Sequence, residues 1–314
     1  MTVGRALIQG EANVRRAWKI VVLVYLANFC IGLILALPML STLEGSLQRS
    51  GSEVQVLQGF DYDWFSNFRG SLTGWMRSLD LSLVGGGALL RNYELLLTGG
   101  LFQLDCLLIG VGVLYWLGQG FLAGGSLHIL CARSCQFSLI EFLSGCGRYF
   151  FRFLRVSLFM LLSLWLVYTF ILSPLGKIID ELIGEDAMER ASIFITIVKY
   201  FCVALVLAAM SMVNDYAKIR TVLDGRSSAA FAILSSLYFL SRRLGSALFL
   251  YVTLLVLGAI LAVSYGVLER GLAVMSASTV VLAFFLQQLF IASKMWLKLM
   301  FFSSQSLLYV DYKT

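Results

Sequence analysis

Apolar side chains run through this chain in long unbroken stretches, without the alternation of a half-buried strand or the three-to-four-residue beat of a soluble helix. Six stretches stand out: Ile20–Leu43, Cys106–Ala132, Val156–Gly176, Ala191–Asn214, Leu244–Leu268 and Gly271–Ser293. At about 1.5 Å per residue, each is long enough to cross a hydrocarbon core of about 30 Å. Four contain no acidic or basic residue; the second holds only His128 and the fourth only Lys199. Backbone in lipid must satisfy its own hydrogen bonds, so the pattern predicts an all-α integral membrane protein with six transmembrane helices. The first stretch exceeds a signal-peptide core and lacks a small-x-small cleavage site, so it reads as a retained anchor.

Between spans two and three the pattern turns amphipathic. In FSLIEFLSGCGRYFFRFLR, Ser138, Glu141, Gly145, Arg148, Arg152 and Arg155 recur every three or four positions. They form one polar stripe, with Phe137, Ile140, Leu143, Phe150, Phe151 and Leu154 around the rest. Such a helix is expected at the membrane interface, with its aromatics at the acyl boundary and Arg148, Arg152 and Arg155 toward lipid phosphates. The segment SSAAFAILSSLYFLSRR between spans four and five has a similar length and fewer charges. A shift of ninety positions lays Arg152 on Arg242, Leu143 on Ile233, and Ser157-Leu158-Phe159 on Ala247-Leu248-Phe249. The chain therefore reads as two repeated hairpins with amphipathic connector helices, flanked by spans one and six.

That gives five regions: 1–43, N-terminus and first span; 44–98, an outer cap; 99–190, hairpin one; 191–270, hairpin two; 271–314, last span and tail. The cap carries Phe60, Tyr62, Trp64, Phe65, Phe68, Trp75 and Tyr93. Rings at that density suit short helices leaning on span ends at an interface.

Composition agrees: 59% of the 314 residues are hydrophobic and 13% charged, against about 25% charged in soluble domains. The net charge of +6 concerns topology and gives no ground for a nucleic-acid partner. Sixteen of the 24 Lys and Arg residues fall in the N-terminus, the second and fourth connections and the tail. Residues 177–190 instead carry Asp180, Glu181, Glu185, Asp186 and Glu189. The positive-inside rule then puts both termini and both connectors in the cytoplasm of a bacterial inner membrane. Cys30, Cys106, Cys131, Cys135, Cys146 and Cys202 do not suggest a disulfide framework there.

Candidate chemistry is sparse. His128, Cys131 and Cys135 share a helix face and could ligate zinc with Cys146, yet with no second histidine or Cys/His pair they read as an interfacial histidine and buried apolar thiols; no metal or cofactor is expected. Asp105 and Lys199 are the charges set deepest, and a pair of them would serve a small-solute or ion transporter. Asn28, Gln119, Gln287 and Gln288 read as interhelical glue. No G-x-S-x-G elbow, P-loop or dinucleotide fingerprint occurs, so no catalytic set is expected.

The densest polar cluster is Asn214, Asp215, Tyr216, Lys218 and Arg220 at the end of span four. Asp215 with Lys218 and Arg220 with Asp224 stand at helix-pairing distances, and DGRSS reads as helix stop, turn and N-cap. The cluster is either the anchored exit of a helix or a site for a ligand or lipid headgroup, where an enzyme acting on lipids would use Asp215, Lys218 and Arg220.

FLAGGSLHIL, FSLIEFLSGCGRYFFRFLR and NDYAKIRTVLDGRSS resemble recurring patterns in a group of bacterial polytopic membrane proteins. These are similar to the membrane domain attached to some glycerophosphodiester phosphodiesterases. The resemblance covers roughly residues 100–300 and implies helical hairpins joined by amphipathic helices. The soluble catalytic barrel with its metal carboxylates is absent from this sequence, so the resemblance implies no phosphodiesterase activity. The expected role is non-enzymatic: structural, accessory or lipid-interacting, with membrane lipids and other membrane-protein subunits as partners.

Overall fold

The structure, a computed structural model, describes residues 2–50, 62–78, 105–132, 135–172, 174, 189–225, 228–272 and 277–313. Among these there is no strand. The helices are α1 (Val3–Arg16), α2 (Lys19–Ser50), α3 (Tyr62–Ser71), α4 (Cys106–Leu130), α5 (Leu139–Val167), α6 (Glu189–Leu223), α7 (Ala229–Gly271) and α8 (Ala277–Lys313). A 3-10 turn covers Gly74–Ser78, and a π-helical turn, Tyr168–Leu172, ends α5. Six of the helices, α2 and α4 to α8, are long and apolar enough to cross a membrane. The chain is an all-α, multi-pass membrane protein.

α7 and α8 have 43 and 37 residues, where a bilayer needs about 20. The surplus is the charge-bearing part, 229–243 in α7 and 294–313 in α8. The connector of hairpin one likewise runs straight into its span, because nothing between Arg155 and Val156 stops a helix; both belong to α5. The connector of hairpin two is set off from its span by a non-helical Arg243, φ −128° and ψ 30°.

Two segments differ from the sequence reading. Residues 294–313, read as a tail, continue α8 without a break. Residues 3–16, read as a basic N-terminus, form α1, which buries Ala6, Gly10 and Val14. α2 also runs past Pro38 to Ser50, with Ser41 Oγ and Thr42 Oγ1 donating to the Pro38 carbonyl at 2.8 and 2.9 Å. Of the expected cap, α3 and the 3-10 turn are seen, with Trp64 stacked on Phe68 at 5.3 Å. Residues 51–61 and 79–98 lie outside the described residues.

The chain divides into two compact units. One comprises Met1–Trp18, Gly120–Thr253 and Leu299–Thr314; the other comprises Lys19–Gln119 and Leu254–Lys298. In the first unit several positions ninety residues apart are both buried. Leu122, Ser126, Leu127 and Ile129 of α4 are buried, and so are Met212, Tyr216, Ala217 and Ile219 of α6. Phe142, Cys146 and Tyr149 of α5 match buried Ala232, Ser236 and Phe239 of α7. Hairpin one closes on glycine. A Cβ on Gly124 would lie 3.1 Å from the Gly145 carbonyl, and one on Gly125 only 2.6 Å from both the Phe142 carbonyl and Cys146 Sγ. At the equivalent places hairpin two carries Asn214 and Asp215.

In the second unit, Tyr265 stacks on Phe290 with centroids 4.3 Å apart, and Leu297 reaches over Gly258. Spans of both units expose large apolar side chains, such as Ile34, Leu162, Val263 and Phe285, as helices solvated by acyl chains do.

Candidate functional site

The end of α6 is built from inside outward. Gly225 adopts φ +65°, the left-handed turn that glycine reaches without strain, and the Asp224 amide donates to the Arg220 carbonyl at 2.8 Å. α7 restarts at once, with Ala232 N donating to the Ser228 carbonyl. This is the stop, turn and restart read from DGRSS. Arg152 of α5 reaches across to donate from Nη1 to the Gly225 carbonyl at 3.2 Å.

Arg220 and Asp224 form an ion pair, Nε to Oδ2 at 3.2 Å, with side chains 17% and 9% exposed. The same carboxylate oxygen accepts from the Tyr309 hydroxyl at 3.2 Å, and the Arg220 guanidinium lies 5.4 Å from the centre of the Tyr309 ring. Phe239 sits among Tyr216, Tyr309 and Tyr312 at centroid distances of 5.0, 5.3 and 5.0 Å. Arg243, freed by the break in α7, covers Tyr312 at 5.9 Å. The helix end is thus clasped by α8, whose role the sequence reading missed. Asp215 and Lys218 stand three residues apart on α6.

Four polar groups in this unit are buried and lack a protein partner: Tyr216 Oη, Asn214 Oδ1, Ser304 Oγ and both amide atoms of Gln305. Burying an unsatisfied group costs about 1–3 kcal/mol. Gln305 belongs to Ser303-Ser304-Gln305-Ser306, four successive buried polar residues of α8. Consecutive burial means α8 is enclosed on every side there. α1 covers one side: Ser303 Oγ accepts from Asn13 Nδ2 at 3.4 Å, and Gly10 is pressed against Ser304.

The arginines of α5 divide. Arg152 faces inward to Gly225, whereas Arg148 and Arg155 are exposed, Arg148 lying 5.6 Å from the centre of the Tyr149 ring. Ile140, Leu143 and Phe151 on the same half-helix are 82%, 50% and 67% exposed.

Asp105 caps its own helix. Its Oδ1 accepts from the Leu107 amide at 3.0 Å, which occupies the oxygen in structure. Lys199 lies within α6, and its side chain falls outside the described residues.

Among the described residues, Lys298 reaches into the spans. Lys298 Nζ donates to Gln119 Oε1 at 2.5 Å; Gln119 Nε2 donates to Asn28 Oδ1 at 2.5 Å; Asn28 Nδ2 donates to the Val24 carbonyl at 2.8 Å and to Met295 Sδ at 3.4 Å. Tyr25 Oη adds a bond to Gln288 Oε1 at 2.7 Å. The chain joins α2, α4 and α8. Asn28, Gln119 and Gln288 act as the interhelical glue expected of them; Lys298, counted with the tail, was missed. Gln119→Leu removes two links, and we expect it to lower stability by about 1–2 kcal/mol, measured by reversible unfolding in mixed micelles.

The thiol and imidazole group is spread. His128 lies against Gly145 and Tyr149, and the Cys135 thiol donates to the Ala132 carbonyl at 3.2 Å. Burial pushes the Cys135 thiol up, against the opposing charge of Arg16. No three His, Cys, Asp or Glu side chains among the described residues come together as metal ligands.

Together these features define a multi-pass helical membrane protein whose described residues include one clasped helix end and one polar network within the spans. No family model, curated protein or solved structure matches the chain.

Proposed function

We propose that this is a non-enzymatic accessory protein of a bacterial cytoplasmic membrane, with both termini in the cytoplasm, that works by engaging anionic lipid at its basic face. The observation that carries this reading is the divided surface of α5. Exposed Ile140, Leu143 and Phe151 stand beside outward Arg148 and Arg155, an apolar-plus-cationic face suited to the acyl and phosphate layers of one leaflet. The strongest charges of the α6 end, by contrast, are spent on each other and on Tyr309. A transport reading through Asp105 and Lys199 has no comparable support, since Asp105 serves α4.

The test is lipid selectivity. Delipidated protein, offered mixed phosphatidylglycerol and phosphatidylcholine, is expected to retain the anionic lipid preferentially in native mass spectrometry. Each basic residue near an anionic surface is worth about 1 kcal/mol, so Arg148→Gln with Arg155→Gln should lower that preference roughly tenfold or more. An unchanged preference would remove this reading.

A further inference from the structure

We infer that α8 carries a self-association surface centred on Gln287, whose partner is α8 of a second copy of this chain. Of the carboxamides read as interhelical glue, Asn28, Gln119 and Gln288 are bound within the chain. Gln287 is exposed and makes no hydrogen bond among the described residues. It stands ten residues after the start of α8 and seven before Lys294, the first charge along the helix. About 15 Å and about 10 Å of helix therefore separate it from these two points. Acyl chains offer an amide no partner there, and glutamine lacks the long stem with which lysine and arginine snorkel. Hydroxyls in the spans meet the same need on their own helix. Ser163, Thr253 and Ser293 donate to the Phe159, Phe249 and Leu289 carbonyls at 2.8, 2.7 and 2.8 Å. Gln287 does not.

The occupant follows from charge and depth. From Ser278 to Lys298 no residue of α8 is buried, so this part of the helix is open to a neighbour. Exposed Phe284 and Val280 stand one and two turns before Gln287 on the same face. Leu272 to Ser293 holds no acidic or basic residue, so a charged partner would find no counter-charge here. A carboxamide both donates and accepts, and its complement is a second carboxamide. A two-fold axis along the membrane normal sets identical residues at identical depth. Two copies thus bring Gln287 to Gln287, each amide donating to the other's carbonyl oxygen. The nearest charge on this face, Lys294, lies two turns on, with Nζ 5.6 Å from the centre of the Phe290 ring. It stands past the apolar stretch, where salt and lipid phosphates screen it from its copy.

The surface does not involve the arginines of α5, so its test stands apart from theirs. Sedimentation equilibrium of the purified full chain in density-matched micelles is expected to show a reversible monomer–dimer equilibrium. Gln287→Leu should weaken the dimer about eightfold, the factor for two interhelical bonds of average strength in a membrane. The same variant should melt as wild type does, because leucine suits a lipid-facing position. Gln287→Asn keeps the carboxamide and should associate more tightly than Gln287→Leu. In phosphatidylglycerol–phosphatidylcholine vesicles, with the native cysteines replaced, Gln287→Cys should oxidise to a cross-linked dimer. Leu289→Cys, on another face of α8, should not. Wild-type protein that stays monomeric would assign the amide to a different protein or to none, and would overturn the inference. So would Gln287→Leu associating as wild type does, or Leu289→Cys cross-linking as readily as Gln287→Cys.

Discussion

Asp224→Ala is expected to be among the most damaging single substitutions in the described part of the chain, lowering stability by about 3–5 kcal/mol. The carboxylate serves Arg220 and the Tyr309 hydroxyl together, 3.2 Å from each. Its loss leaves a guanidinium only 17% exposed without its counter-charge. Desolvation penalises both ions of a buried pair, so the pair itself adds little over well-packed apolar groups, and breaking it is what costs. Arg220→Met with Asp224→Leu should accordingly be less damaging than Asp224→Ala alone. Equilibrium unfolding in mixed micelles, with tryptophan fluorescence as readout, measures all three. A double variant as unstable as the single one would show that Asp224 acts through something other than charge compensation.

The second large effect belongs to hairpin one. Gly125→Ala places a methyl 2.6 Å from the Phe142 carbonyl and from Cys146 Sγ. A carbonyl on a helix cannot step aside as a side-chain tip can, so α4 and α5 must part. Overpacking of this kind costs about 1–3 kcal/mol, and a backbone contact lies at the upper end. Gly147→Ala is the control: no atom lies within 4 Å of the added methyl, and helix propensity should stabilise it by up to about 1 kcal/mol. Thermal unfolding of the two variants side by side should move in opposite directions. Equal melting temperatures would mean the hairpin is looser than this contact implies.

These residues show what the sequence could and could not disclose. Span positions were legible because burial in lipid demands long apolar runs. The α6 stop was legible because Gly225 and the Arg220–Asp224 spacing are local signals. The repeat was read from the order of elements. α1 and the second half of α8 were not, because they pack through small and polar residues. Gly10, Asn13 and Ser303 to Ser306 register as hydrophilic, and Lys294 and Lys298 imitate the start of a solvated tail. A faint signal existed: Ala6, Gly10, Asn13 and Ala17 repeat at helical spacing, and no charge appears from Leu299 to Val310. The Lys298–Gln119–Asn28 network joins three helices far apart in the chain, and no spacing rule brings those together. Asp105 was read for depth, when its position before α4 already suited a cap.

The break at Arg243 has a mechanical consequence. α5 is one unbroken helix from Leu139 to Val167, so displacement of Ile140 or Phe151 would move its span with it. α7 has a joint at the same station of the repeat, held by Arg243 on Tyr312. There a displacement of the connector would be taken up at the joint. One hairpin is continuous at the station where the other is jointed.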